Sequence, residues 1–393
     1  MKYFIKSKRE EFVPEIAQRH SSTRPSVSDI DGKVVIANLT AEAVEPLRNS
    51  PHFEVYEDLE FKPLDEEWWK RQTPAPMAGP PPWANKSQAD VMKHNRAAEA
   101  WTASRGARVT IAVVDTGVDG SMPEFHRRSS WNTSPSFQTA WEDSVGHGTM
   151  CAAIACGSSA QGGRYDGVAP DATLLAARTT LYASDLYLVY QDLLRSKRKQ
   201  LFPGGLVVSN SYGLYTCTAP AWPEGHPYAE LIRTCIADGI VFVFAAGNNH
   251  GFGLCKFPAA DDHPNSIWAV NSIDEVITVG TVNWNESNQE PGEHSNSSRG
   301  PGQWSVSASK PDVVAPTYGE VAWGGQYRSM EWWGTSGACP QVAGLAALLL
   351  AKKPGLTPSQ VATIIKQSAR KLPHPAACVG SGIIDCAEAI KLV

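Results

Sequence analysis

The sequence predicts an α/β fold, a doubly wound, mostly parallel sheet with helices on both faces, preceded by a small N-terminal α+β domain. Three observations predict it. Near-continuous apolar runs recur along the last three hundred or so residues: RVTIAVVD, ATLLAAR, GLVVSNS, GIVFVFAAGN, EVITVG and PDVVAP. Runs without polar alternation suit strands buried on both faces, as in parallel sheets. Helical stretches separate several of these runs, which gives the βαβ alternation of a covered sheet. The N-terminal stretch instead shows short strands around a single helix.

Residues 1–65 form the small domain. Lys2-Tyr3-Phe4-Ile5 reads as a strand, and the run from Lys33 to Ala37 as another. Thr40 then caps a helix whose Ala43, Val44 and Leu47 share one face, and Phe53 to Tyr56 is a third strand. A unit this small gains stability by docking on something larger. Residues 66–89 form a linker. Its stretch RQTPAPMAGPPPWANKSQ is too rich in proline for helix or central strand, and exposed connectors of this kind are favoured sites of proteolysis. Residues 90–393 form the large domain. One helix covers Ser184 to Leu194, and a second runs from Tyr228 to Asp238 and stops at Gly239. Near the end, Thr357-Pro-Ser-Gln is a capping box with proline at the first helical position. In such sheets ligands bind where the strands end.

Composition narrows the function. The 393 residues carry 35 Lys+Arg and 40 Asp+Glu, a formal charge of −5. A nucleic-acid partner would leave a basic footprint, so none is expected. The longest apolar run, Leu345 to Ala351, is too short to span a bilayer, so no membrane partner is expected either. The chain is expected to be a monomer. Its N-terminus has no apolar stretch of signal-peptide length, which leaves a cytoplasmic protein or a secreted one whose signal has been removed. Eight cysteines are too dilute for a disulfide scaffold, and no CxxC pair suggests zinc. Cys151, Cys156 and Cys339 read as buried thiols; Cys378 and Cys386 could pair across a Gly-rich turn, and Cys217, Cys235 and Cys255 could each find partners.

Four polar residues sit where elements begin or end, each beside small neighbours. Asp115 closes VTIAVVDTG, His147 opens VGHGTMCAAIACG, Asn248 ends VFVFAAGN and Ser336 lies in GTSGACP. Taken singly, each is an ordinary turn or cap residue. Taken together they supply a reaction. A serine hydroxyl becomes a nucleophile when a neutral imidazole accepts its proton, and a carboxylate must hold that imidazole in the right tautomer. A side-chain amide can then donate to the developing oxyanion.

The order Asp, His, Ser, with DTG, HGT and GTSxAxP around them, resembles the subtilisin-like serine proteases from about residue 82 to 393. The resemblance implies Asp115 as orienting carboxylate, His147 as general base, Ser336 as nucleophile and Asn248 as oxyanion donor. It implies that Ser211, Tyr212 and Gly213 line one wall of the specificity pocket, and Ala245, Ala246 and Gly247 the other. A peptide or protein substrate would bind as an added β-strand. Tyr212 and the insertion at 259–275 could narrow the cleft. Gly337 departs from the methionine most relatives carry after the nucleophile, which implies a more flexible serine loop, and Pro340 is expected in the first helical turn. No cofactor is implied for the chemistry. Glu124 falls where many relatives have a calcium-ligating Asp, with the loop 157–167 beside it, so a structural Ca²⁺ is one expectation and a metal-free acidic loop the other. Residues 1–65 resemble, more weakly, the family's inhibitory propeptide. That implies an intramolecular inhibitor cut away between about Glu66 and Trp83, with a permanent accessory domain as the alternative. The function implied is a self-processing endopeptidase. A dedicated processing protease, a peptide-cyclising acyl transferase and a non-catalytic peptide-binding homologue remain open.

Overall fold

Six apolar runs become six strands of one all-parallel sheet. In a computed structural model, residues 1–8, 26–27, 32–63, 82–125, 139–214, 216–217, 219–250, 266–282, 294–305 and 310–393 are described. The N-terminal unit comprises β1 (Lys2–Ser7), β2 (Ser26–Val27), β3 (Val34–Asn38), α1 (Ala41–Arg48) and β4 (Phe53–Glu57), in sheet order β2-β3-β1-β4. A two-residue strand, β5 (Lys62–Pro63), ends it. The large domain continues with α2 (Gln88–His94), α3 (Ala97–Ala100), β6 (Thr110–Asp115), α4 (His147–Cys156), β7 (Thr173–Arg178), α5 (Ala183–Arg198), β8 (Leu206–Asn210) and β9 (Tyr212–Gly213). It closes with α6 (Pro227–Ala237), β10 (Val241–Ala245), β11 (Ile277–Val282), β12 (Val313–Pro316), the hairpin β13 (Gly319–Trp323) and β14 (Gln326–Met330), α7 (Gly334–Lys352), α8 (Pro358–Ser368), α9 (Ala376–Val379) and α10 (Cys386–Lys391). The central sheet runs β12-β11-β10-β8-β6-β7.

Alternation along each strand divides the core. On β6, Ile111 and Val113 face a layer built on α4 and α7, while Ala112 and Val114 face one built on α5 and α6. Helix α7 is long and apolar enough to cross a membrane by length and composition, but 94% of its apolar window is buried inside the fold, which makes it the core helix of the first layer. The small unit is two-sided as well. Tyr3, Ile5, Val35 and Phe53 pack on Val44 and Leu47 of α1. Phe4, Val34 and Ile36, on the opposite face, join the α5–α6 layer of the large domain. Docking therefore buries a face that the unit alone would leave in water.

Local caps follow the sequence. Thr40 accepts from the Ala43 N–H at 3.3 Å, and Thr357 and Gln360 form the reciprocal capping box. Gly239 takes φ +86° just past α6, the left-handed turn that suits glycine. Two expectations differ. Cys378, Cys386 and Cys235 are buried thiols outside any disulfide, while Cys217 is disulfide-bonded. Cys255 lies outside the described residues. Helix α7 begins at Gly334, two residues before Ser336, so Pro340 falls in its second turn, inside the helix.

Candidate active site

The four polar residues converge at the C-terminal edge of the sheet, where parallel strands leave room for ligands. Asp115 ends β6, His147 opens α4, Asn248 lies in the turn after β10, and Ser336 is the third residue of α7. Asp115, His147, Asn248 and Ser336 are all buried. His147 Nδ1 donates to Asp115 Oδ1 at 2.7 Å, which places the exchangeable position of the ring at Nε2. Burial is the largest single influence and lowers the affinity of this imidazole for a proton, but Asp115 and Cys151 together outweigh it and lift the pKa well above the ordinary value. The Ser336 hydroxyl donates to the Ser211 carbonyl at 3.2 Å.

Several residues that motif reading passed over hold this group in place. The Asp143 carboxylate takes five hydrogen bonds: from the Thr116 hydroxyl (2.9 Å), the Val145 N–H (3.2 Å), the Gly146 N–H (2.8 Å), the Thr149 N–H (2.9 Å) and the Thr149 hydroxyl (2.6 Å). Thr116 in turn accepts from the Gly148 N–H at 3.0 Å. One anion at the positive end of α4 thus ties the turn after Asp115 to the residues flanking His147. The available signal was an acidic residue four positions ahead of a helix start. Thr335 orients the amide: Asn248 Oδ1 accepts from the Thr335 N–H (3.0 Å) and hydroxyl (2.9 Å), turning its Nδ2 to the other side. Cys151, one helical turn after His147, brings its Sγ within 3.9 Å of Nδ1. Burial pushes its thiol up to about 11, so it is uncharged at neutral pH. Asp115, His147 and Cys151 have ligand atoms within 4.8 Å of one another and could hold a cation, though doing so would occupy the imidazole.

Pro340 has a consequence at the serine. Lacking an N–H, it leaves the carbonyl of Ser336, four residues earlier, without its helical donor. Ser211 Oγ donates to that carbonyl at 3.0 Å and Cys151 Sγ at 3.6 Å. Gly337 is fixed by space and is no loose hinge: a Cβ there would stand 2.5 Å from the Trp333 side chain.

The segments 211–213 and 245–247 face each other across the strand ends, and Asn271 joins them, donating from Nδ2 to the Tyr212 carbonyl (2.7 Å) and the Ala245 carbonyl (2.8 Å). Tyr212 does not narrow the cleft. Its side chain turns into the core, where its hydroxyl meets those of Tyr190 and Tyr228. Residues 259–265 of the insertion lie outside the described residues; 266–273 are buried.

The N-terminal unit reaches this edge. Leu59 and Phe61 pair through their backbones with Ala183 and Leu181 on one side, and β5 pairs antiparallel with β9 on the other, Lys62 opposite Gly213 and Pro63 opposite Tyr212. The Phe61 ring is buried against Tyr212, Trp222 and Tyr228 at centroid distances of 5.6, 5.5 and 5.6 Å.

Glu124 is buried in a turn, Pro123–Phe125. Its Oε1 accepts from the Arg164 N–H at 2.9 Å and from the Tyr327 hydroxyl at 2.5 Å. The Arg164 guanidinium lies 3.9 Å from the Tyr327 ring centroid and pairs with Glu320 at 2.7 Å. Glu124 Oε2 is buried without a hydrogen-bond partner among the described residues, but one such oxygen falls far short of the six to eight that Ca²⁺ takes. The loop presents a backbone N–H, and the hairpin a phenol O–H, to this carboxylate, so these residues do not fit a calcium ion.

Comparison with known proteins agrees with this geometry. The model of the subtilase family matches residues 106–382. Mycosin-1 of Mycobacterium tuberculosis is 29% identical over 340 residues, 79% of this chain and 73% of its own. A calcium-dependent protease of Trichormus variabilis is 30% identical over 329 residues, 75% of this chain and 47% of its own. The crystal structure of MycP1 with its N-terminal propeptide removed superposes with a TM-score of 0.59 at 27% identity, covering 76% of this chain and 96% of that one.

Proposed function

The chain belongs to the subtilase family of serine peptidases, and from that premise we propose that it is an endopeptidase made as a self-processing zymogen. His147 takes the Ser336 proton as Oγ attacks the substrate carbonyl carbon, then passes it to the leaving amine; water hydrolyses the acyl-enzyme by the same route. Asp115 stabilises the imidazolium, and the Asn248 amide with the Ser336 N–H receives the oxyanion. The chemistry needs no cofactor. Asn248→Ala is expected to lower kcat about 10²–10³-fold with KM little changed, a magnitude taken from the subtilisin example. A loss below tenfold in steady-state kinetics would remove Asn248 from this role.

The observation that carries the zymogen reading is the pairing of Lys62–Pro63 with Tyr212–Gly213. The N-terminal unit places its own backbone on the strand that a substrate would extend, and its chain leads on from there into the Pro-rich linker. The structural relative MycP1, described with its N-terminal propeptide removed, supports the same reading. N-terminal sequencing of the purified chain after incubation tests it. A new terminus within the linker is expected, while a chain that stays full length yet reacts with a fluorophosphonate probe would mean a permanent accessory domain. The disulfide at Cys217 favours a secreted setting, since such bonds persist in oxidising compartments.

At Glu124 we infer that protein groups pin the loop 157–167 in place of a metal, although one relative is named for calcium dependence. A chelator is expected to leave Tm unchanged in calorimetry. A fall of several degrees, restored by Ca²⁺, would reverse this.

A further inference from the structure

His226 is fully buried at the seam between the N-terminal unit and the large domain. From the large domain, the Trp222 ring lies 4.1 Å away at 31°. From the N-terminal unit, Phe4 (4.8 Å, β1) and Tyr56 (5.0 Å, β4) close over it. The ring also caps a helix: its Nδ1 accepts from the Tyr228 N–H at 3.1 Å, in the first turn of α6. Nδ1 must therefore be unprotonated when the unit is docked. Its Nε2 is buried as well.

We propose that His226 is an acid-sensing latch for the N-terminal unit: neutral, it caps α6 and seats the unit, and protonated, it releases it. This rests on the reading of residues 1–65 as an inhibitor of the cleft. A proton on Nδ1 removes the cap acceptor. It also sets a positive charge at the positive end of a helix, in a seam that both partners close off from water. Opening the seam relieves all three.

Lys6 of β1 disfavours a charged ring, and it is held by Glu230 of α6 at 2.6 Å and Glu54 of β4 at 3.9 Å. The Tyr56 hydroxyl donates to Glu54 at 2.8 Å. The Glu57 side chain is paired with Arg48 at 2.9 Å, and Glu224, in the loop before α6, with Arg233 at 2.5 Å. The Glu57 backbone carbonyl favours the charged ring, but burial dominates and depresses the pKa to about 3. Freed into water, an imidazole titrates near ~6.5. Docking therefore keeps its full strength above about pH 6.5 and weakens by about tenfold per unit below it, as far as the depressed value. Asp58, also at the seam, works the other way. Burial raises its pKa despite two hydrogen bonds from Ser184, so its protonation favours docking and does not explain release.

The test uses the full-length chain carrying Ser336→Ala, which keeps the unit attached. Backbone hydrogen exchange, corrected for intrinsic rates, is followed in β1 and β4 between pH 7 and pH 5. Protection is expected to fall about 25-fold there while the central sheet stays protected. With His226→Asn added, which keeps a cap acceptor that does not titrate, the fall should shrink below about threefold. Equal loss in both chains, or loss in neither, overturns the proposal. Should the Asn variant fail to fold, exchange at the imidazole C2–H in the Ser336→Ala chain decides. Its titration must coincide with loss of protection in β1 and β4, and a ring that titrates near ~6.5 while those strands stay protected also overturns it. Neither measurement depends on whether the linker is ever cut, so failure of the latch and failure of the zymogen reading remain distinguishable.

Discussion

Ser336→Ala is expected to give a folded chain of full length whose kcat has fallen about 10⁶-fold, the magnitude known for the nucleophile of subtilisin. The substitution removes one oxygen whose hydrogen bond runs to the Ser211 carbonyl, so stability should change by only about 1 kcal/mol. Activity and fold are thus separable at this position. Two readouts check it. A fluorophosphonate probe should label the wild type and leave the alanine variant unlabelled, and the variant's intact mass should stay that of the uncut chain. Labelling of the variant would move the nucleophile elsewhere, and failure to label the wild type would favour a peptide-binding homologue.

Asp115→Asn is expected to lower kcat about 10⁴-fold while leaving KM within a few-fold. An asparagine amide donating to Nδ1 would force the proton onto Nε2, the atom that must accept from Ser336. The pH profile gives a second readout. The base works only as neutral imidazole, and Asp115 raises its pKa against the opposing effect of burial. In the wild type, kcat/KM should therefore rise with pH on the alkaline side of ~6.5. In the variant, burial is opposed only by Cys151, and the residual acid limb should move to lower pH. An acid limb at the same pH in both chains would mean that Asp115 does not set the charge state of His147.

Much of this architecture was legible because it depends on local chemistry. The apolar runs are strands because parallel sheets bury both faces, and the caps at Thr40, Gly239 and Thr357 follow from orphan backbone groups. Asp115, His147, Asn248 and Ser336 stood out because a motif records which residue types meet at strand ends. Long-range partners were less visible. Nothing near position 143 shows that one carboxylate gathers donors from both sides of the imidazole, or near position 271 that one amide bridges both pocket walls. Tyr212 was misplaced because strand periodicity does not reveal which face of a two-residue strand meets the core. At Glu124 the chain position matched a metal ligand, but its fate depended on Tyr327, two hundred residues away.

The proline inside α7 makes two parts of the molecule mechanically continuous. Because the ring at position 340 withholds a donor, the peptide carrying the nucleophile leans on the hydroxyl of Ser211, the residue that begins the substrate-facing edge. A shift of that edge therefore carries the carbonyl of position 336 with it, and the reacting alcohol sits on the same residue.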